Sequence, residues 1–308
     1  MKFTVAVAQA TPVVLNLAGC IDKACKLIAE AGKRGAQLIG FPETWIPTYP
    51  LWCDAGTFGK WGHEPSKRLH ARLSRNALVI PSPETEALCR AARSAKCAVA
   101  MGANERSETG SLYNALVFIS PAGEILARHR KLVPTFGERM VWGHGDASGL
   151  RTHEITGARV GGLICWEHWM PLSRHVLHSE GEQVHVAAWP HVGDTHQLAS
   201  RHYAFEGRAF VLAAGIFMKK SDIPADYELA SDLVGAPDIL MNGGSAIIAP
   251  DASYVVEPVL GREELLTAEL DLDRIAEEKI TLDVAGHYSR PDLFELRVNR
   301  TPLTQIRS

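Results

Sequence analysis

The sequence has few cysteines, no long apolar segment and no excess of charge of one sign. Its 308 residues include six cysteines. None of them forms a CxxC pair, so a secreted disulfide scaffold is not expected and the thiols are those of a reduced, cytoplasmic protein. No apolar run approaches ~18 residues, the length that spans a membrane. The 32 basic and 35 acidic residues give a net charge of −3, which offers no electrostatic footprint for nucleic acid.

Motifs that identify several enzyme classes are also missing. The chain contains no GxxxxGK[ST] or GxGxxG segment for nucleotide phosphates and no GxSxG elbow for a serine hydrolase. Two groups of histidines lack H-E-x-x-H and any paired Cys/His spacing for zinc, so we predict no metal site. These groups are His168, His175 and His178, and His191, His196 and His202.

Strand-like and helix-like segments alternate along the chain. Residues 3–9 are rich in β-branched and apolar side chains and predict a strand, whereas apolar residues recur at helical spacing over 17–33. Further helices are predicted at 66–77, 83–96, 196–208 and 273–280 and near Pro171, and further strands at 37–41, 98–102, 113–119, 125–130, 159–165, 184–189, 210–214, 246–248 and 266–270. This mixture predicts an α/β or layered α–β–β–α protein. Because no Pro/Gly/Ser-rich linker divides it, we predict one domain over 1–285 and a C-terminal extension over 286–308.

Three reactive side chains lie at the ends of predicted strands. Glu43 and Lys131 each follow a strand, and Cys165 ends another at a turn that leads toward a helix. Reactive groups of α/β proteins collect beyond the carboxyl ends of strands, and a thiol at such a turn lies near backbone N–H groups and a helix dipole. Cys165 is therefore a candidate nucleophile. Structural alternatives stay open: a buried cysteine, a solvated lysine in a basic run, and a glutamate that caps a helix or pairs with an arginine.

The segments around these three residues resemble one enzyme family. GFPE at 40–43, RKLVPT at 130–135 and GLICWE at 162–167 resemble, in that order, the three motifs of the nitrilase superfamily of carbon–nitrogen hydrolases. The Trp166-Glu167 pair after the cysteine resembles the true nitrilase branch, since amidases and carbamoylases more often place Tyr and an acidic residue there. Segments 170–172 and 286–292 also look like nitrilase segments.

The resemblance covers residues 3–298 and implies a fold, a site and an assembly. It implies a four-layer α–β–β–α sandwich with the site at the strand ends, no metal and no organic cofactor. It also points to Glu138 as a second glutamate that holds Lys131 and takes part in proton transfer. Many nitrilases carry a longer C-terminal tail that is linked to spiral oligomers. This chain stops soon after 286–292, so we expect a homodimer or a higher homo-oligomer rather than long filaments.

The implied activity is the hydrolysis of a small nitrile to a carboxylic acid and ammonia. Cys165 would form a thioimidate and then an acyl-thioester, with Glu43 as general base and Lys131 stabilising developing charge. An amidase, a carbamoylase or a cyanide-degrading enzyme would use the same Glu-Lys-Cys triad. A non-catalytic binding protein with the same fold is a further alternative, against which the presence of all three residues argues.

A long aromatic-rich loop over 43–65 and aromatic residues near the strand ends predict the substrate pocket. Long irregular segments in compact domains are usually functional, and aromatic walls suit an apolar or aryl nitrile. The alternative for each tryptophan is that it fills the core. The predicted substrate-binding residues are Tyr49, Trp52, Trp166, Trp189 and His191.

Overall fold

Two stacked β-sheets and the helices outside them make up the molecule. The computed structural model describes residues 1–54 and 57–304. Within these residues the strands are β1 (Lys2–Gln9), β2 (Leu38–Gly40), β3 (Ala98–Arg106), β4 (Leu112–Ile119), β5 (Ile125–Arg130), β6 (His153–Ile155), β7 (Ala158–Ile164), β8 (Val184–Ala188), β9 (Phe210–Ala214), β10 (Phe217–Lys219), β11 (Ile239–Ile248), β12 (Tyr254–Leu260) and β13 (Glu264–Asp271). The α-helices are α1 (Leu17–Lys33), α2 (Glu64–Asn76), α3 (Pro83–Ala95), α4 (Pro171–Ser179), α5 (Asp194–Gly207) and α6 (Asp273–Lys279).

Each half of the chain forms most of one sheet. The first sheet has the order β13-β1-β2-β3-β4-β5, and the second has the order β10-β11-β9-β8-β7-β6, with β12 paired to β11. Strands β1, β2 and β3 are parallel, as are β7, β8 and β9. Strand β13 returns to pair antiparallel with β1, which joins the end of the second half to the first sheet.

Alternation along β1 shows how the layers are held together. Phe3, Val5 and Val7 belong to the core between the two sheets, whereas Ala6 and Ala8 belong to the core under α1, α2 and α3. Successive side chains of a strand point to opposite faces, so one buried strand serves both cores. Helices α4 and α5 cover the outer face of the second sheet. The four-layer α–β–β–α prediction is therefore confirmed.

Most predicted elements are present, but β11 begins at Ile239, seven residues before the strand predicted at 246–248. Helix α1 has its predicted bounds, and the side chain of Asn16 accepts a hydrogen bond from the backbone of Gly19 as its N-cap. The strands β6, β10 and β12 were not predicted. Strands β6 and β10 have three residues each, too short for a periodic signal, and β12 contains Pro258, which weakens a strand pattern.

The chain after α6 contains no helix or strand over 280–304. This segment lies against the domain: Arg300 forms an ion pair with Glu180, and the backbone N–H of Leu303 donates to Asp146 at 2.8 Å. Residues 305–308 of the predicted extension lie outside the described residues. The boundary at 285 stays a prediction.

The strand order explains why distant residues meet. Strands β3, β4 and β5 are joined by antiparallel pairing, so β5 runs in the same direction as β2 and both end at one edge of the first sheet. Glu43 and Lys131 follow these two strands. Strand β4 begins at the same edge and faces β7, which leads directly to Cys165.

Candidate active site

Glu43 is held in a short loop after β2 and is fully buried. Its backbone N–H donates to the carbonyl of Trp189 at 3.1 Å, and one carboxylate oxygen, Oε1, accepts a hydrogen bond from Asn114 at 2.6 Å. The other oxygen, Oε2, is buried without a hydrogen-bond partner. A Cβ on Gly102 of β3 would lie 1.9 Å from the carbonyl oxygen of Pro42, so only glycine allows this loop to cross the strand.

Lys131 lies between two carboxylates. Its Nζ donates to Glu43 Oε1 at 2.8 Å and to Glu138 Oε2 at 2.6 Å, and its side chain is 1% exposed. Its backbone N–H donates to the carbonyl of Asn114 at 2.8 Å, which extends the pairing of β5 with β4 by one residue. The solvated-lysine alternative is therefore wrong, since the ammonium is buried and doubly paired.

Glu138 lies in a short 3-10 helix, Phe136–Met140, and is fixed from three sides. Besides Lys131, the backbone N–H of Thr135 donates to Oε2 at 2.7 Å and the Tyr49 hydroxyl donates to Oε1 at 2.9 Å. A buried carboxylate with this many donors keeps its position.

Cys165 begins the 3-10 helix Cys165–Trp169 directly after β7, and its side chain is 3% exposed. Its backbone has φ 53°, a left-handed conformation that a residue with a Cβ seldom adopts. The backbone N–H of Trp166 opposes the rise that burial causes in the pKa of this thiol. One ligand atom each of Cys165, Glu43 and Glu138 lie within 4.8 Å of one another. The structure therefore brings the four predicted catalytic residues together.

The charges of the cluster favour a neutral thiol beside an ammonium. Burial raises the pKa of Glu43 to about 7, although the Lys131 charge opposes this rise. Burial also raises the pKa of Cys165 well above its ordinary value, and the Glu43 carboxylate raises it further. Burial alone would lower the pKa of Lys131, but the sulfur and the two carboxylates outweigh it and raise the pKa. The thiol therefore requires a base to become a nucleophile.

The same three acceptor atoms form a set that could hold a cation. Glu43, Glu138 and Cys165 are the ligand group that the described residues offer. However, the Lys131 ammonium already donates to both carboxylates at 2.6 and 2.8 Å. This ammonium supplies positive charge to the cluster from the protein itself.

Two of the predicted pocket residues lie in the aromatic loop. Tyr49 is buried, donates to Glu138 and makes an edge contact with the Trp142 ring at 6.0 Å between centroids. It adjoins the cluster. Trp52 is also buried and packs against Tyr227 with centroids 6.2 Å apart. A substrate-binding role for both residues stays a prediction.

The other three pocket candidates have different surroundings. The Trp166 side chain is 48% exposed, whereas the Trp189 indole has no exposure and donates to the Ser200 hydroxyl at 3.1 Å. His191 lines a surface cavity of about 560 Å³ whose lining does not include Cys165. Trp189 thus fills the core, which was the stated alternative, and the structure does not bring His191 into the cluster. A substrate-binding role for these three residues stays a prediction.

Two residues that support the site were not among the predicted site residues. Asn114 sits in the apolar strand β4, where a polar residue was the available signal, and it orients Glu43. Glu167 is fully buried, and its carboxylate accepts hydrogen bonds from the ring of His129 at 2.9 Å and from the backbone N–H groups of Leu132 and Ile164 at 2.7 Å. It therefore connects the loop after Lys131 to the turn at Cys165. Burial alone would raise its pKa, but these donors hold the pKa of Glu167 below its ordinary value.

The fold has a close counterpart among solved structures. The carbon–nitrogen hydrolase from Helicobacter pylori G27 superposes with a TM-score of 0.73 and 16% sequence identity, covering 95% of this chain and 97% of that one. At this level of identity the likeness shows the fold alone. The sequence also matches the carbon–nitrogen hydrolase family over residues 4–279, and the chain belongs to that family.

Two relatives share much more of the sequence. "Nitrilase 2" from an unknown prokaryotic organism is 44% identical over 309 residues, which are 99% of this chain and 95% of the relative. An "Aliphatic nitrilase" from Rhodococcus rhodochrous is 40% identical over 322 residues, which are 99% of this chain and 82% of the relative. No helix in residues 1–54 and 57–304 is long and apolar enough to cross a membrane.

Proposed function

We propose that this protein is a nitrilase that converts a small nitrile to a carboxylic acid and ammonia. The observation that carries the proposal is the buried Lys131 ammonium, which is paired with Glu43 at 2.8 Å and shares a cluster with the Cys165 thiol. The names of the relatives at 40–44% identity support nitriles over amides as substrates. The amidase and carbamoylase alternatives have no such support.

The first half of the reaction forms a covalent intermediate. Glu43 Oε2, which is buried and has no hydrogen-bond partner, takes the proton of the Cys165 thiol, and the sulfur attacks the nitrile carbon. The nitrogen receives that proton, which gives a neutral thioimidate. Lys131 and the backbone N–H of Trp166 stabilise the negative charge that develops during addition.

The second half consumes two water molecules. Glu43 activates the first water, which adds to the thioimidate carbon, and ammonia leaves to give an acyl-thioester. A second water releases the carboxylic acid and returns the proton to the sulfur. Glu138 keeps Lys131 charged throughout, because a lone buried ammonium would tend to lose its proton.

The test of this proposal is a substrate panel. Purified protein is incubated with benzonitrile, phenylacetonitrile and a short aliphatic nitrile, and separately with the three matching amides. We expect equal amounts of acid and ammonia from at least one nitrile. Turnover of amides alone would favour the amidase alternative. Turnover of neither set would favour a non-catalytic binding protein.

The acid side of the pH–rate profile is expected to follow Glu43. Because burial raises the pKa of Glu43 to about 7, a falling pH protonates the base and removes its ability to accept the thiol proton. For an uncharged nitrile, kcat/KM should fall roughly tenfold per pH unit well below pH 7. The apparent pKa belongs to the coupled carboxylates and thiol as a group.

The control for this measurement separates ionisation from unfolding. Protein held at pH 5 and returned to pH 8 must recover its full activity. A value of kcat/KM that stays constant down to pH 5 would contradict Glu43 as the base.

We also propose that the protein is cytoplasmic and forms a homodimer or a higher homo-oligomer. Cys20, Cys25, Cys89, Cys97 and Cys165 form no disulfide, which fits a reducing compartment. Leu172 on α4 and Leu198 and Phe205 on α5 are exposed large apolar side chains on two neighbouring helices, and a second copy of the chain would cover them.

A further inference from the structure

A chain of buried polar side chains runs from Glu182 to the backbone of Cys165. Glu182 Oε1 lies 2.8 Å from His185 Nδ1, and His185 Nε2 lies 2.9 Å from His168 Nε2. His168 Nδ1 then lies 2.6 Å from the carbonyl oxygen of Cys165. At the far end, the Tyr203 hydroxyl donates to Glu182 Oε2 at 2.5 Å. All five residues are buried, and none of these four side chains takes part in the mechanism above.

Aromatic rings hold both imidazoles in one orientation. Trp189 stacks on His168 with centroids 4.6 Å apart and planes at 26°, and Tyr203 stacks on His185 with centroids 3.7 Å apart and planes at 27°. The two imidazoles meet almost at right angles. Trp189 thus contacts the imidazole that lies against the Cys165 carbonyl oxygen.

A glycine leaves the space that the carboxyl group occupies. A Cβ on Gly161 of β7 would lie 2.1 Å from Glu182 Oε1. A larger residue would therefore displace the carboxyl group from its hydrogen bond with His185. The strand that ends at Cys165 thus also accommodates the start of the hydrogen-bond chain.

The partners along the chain determine where the protons lie. A carbonyl oxygen only accepts, so His168 Nδ1 must carry a proton, and in the neutral ring Nε2 then accepts. His185 Nε2 must therefore donate, which leaves His185 Nδ1 as an acceptor and requires a proton on Glu182 Oε1. Burial supports this assignment, because it lowers the pKa of both histidines well below the ordinary value and raises the pKa of Glu182 to about 8.

We infer that His168 is a positioning residue that holds the backbone of Cys165 in its reactive conformation, and that it is oriented by His185 and a protonated Glu182. The inference rests on the proposed role of Cys165 as nucleophile. The φ of 53° at Cys165 is a strained conformation that persists only where the surroundings fix it. The hydrogen bond from His168 fixes the peptide that joins Cys165 to Trp166.

The test compares His168→Asn with His168→Leu. Asparagine places an amide N–H close to the position of Nδ1, and leucine has a similar shape without a donor. Both variants lose the stacking on Trp189 and leave His185 Nε2 unpaired, so their difference isolates the hydrogen bond to the Cys165 carbonyl. We expect kcat for a nitrile to fall roughly 10- to 100-fold in the leucine variant, with KM changed less than threefold. The asparagine variant should recover most of that loss at the same unfolding midpoint.

The possible results separate this inference from the proposed function. Equal kcat in the two variants would overturn the positioning role while leaving the nitrilase proposal intact. Full activity in Cys165→Ala would instead overturn the function itself.

The proton assignment has its own test in ¹⁵N spectra of the histidines. We expect His185 Nδ1 to be unprotonated in both the parent protein and the Glu182→Gln variant. A doubly protonated His185 would contradict the assignment.

Discussion

Replacing Cys165 with alanine is expected to lower the kcat for nitrile hydrolysis by roughly 10⁴- to 10⁶-fold. The variant loses the atom that forms the thioimidate, and none of the other three residues of the cluster offers a comparably soft nucleophile. The side chain is 3% exposed, and the change to alanine removes a single heavy atom. The fold should therefore survive, and initial rates of ammonia release measure the effect directly.

The matched control is Cys97→Ala. Cys97 is also a buried cysteine, but it lies directly before β3, and its sulfur contacts the carbonyl of Ala98. Its loss should leave the rate within a few-fold of the parent value. Comparable activity in the Cys165 and Cys97 variants would rule out thiol catalysis at Cys165.

Replacing Lys131 with methionine is expected to abolish turnover and to destabilise the fold by roughly 3–5 kcal/mol at neutral pH. Methionine has a similar length and no charge, so the variant leaves Glu43 and Glu138 buried without their common partner. The cost should shrink as the pH falls, because a proton on the buried Glu43 removes its unpaired charge. Urea unfolding at pH 7.5 and pH 5.5 measures the loss of stability and its dependence on pH.

Lys23→Met provides the control for a lost ion pair at the surface. Lys23 pairs with Glu263 at 2.6 Å, but both side chains are partly exposed to water. Exposed pairs contribute little, so this variant should unfold close to the parent. An Lys131→Met protein as stable as Lys23→Met would show that the buried ammonium is not needed to hold the two carboxylates.

The meeting of the proposed catalytic residues could be predicted because it follows from strand direction. Glu43, Lys131 and Cys165 each lie just past the end of a predicted strand, and like-directed strands end at one edge of a sheet. The motif around each residue then favoured a catalytic role over the structural alternatives that strand position alone left open. Glu138 came only from the resemblance, since nothing in the pattern of its 3-10 helix marks it.

The supporting polar residues could not be predicted, because their partners are distant in sequence. Asn114 donates to a residue 71 positions earlier, and Glu167 lies 38 positions from His129. Single polar residues inside apolar strands, such as His185 in β8, indicate a buried hydrogen bond without naming its partner. The aromatic residues are ambiguous for a related reason, because an indole such as that of Trp189 packs in a core as readily as it lines a pocket.

The central claim is that Cys165 becomes covalently attached to the nitrile carbon during turnover. Its most direct test is the intact mass of the protein after rapid mixing with a slowly hydrolysed nitrile and quenching in acid, followed by peptide mapping. We predict one adduct with the mass of the nitrile or of the derived acyl group, confined to the peptide that contains Cys165 and absent from Cys165→Ala. Turnover without any adduct, or an adduct on another cysteine, would contradict the mechanism.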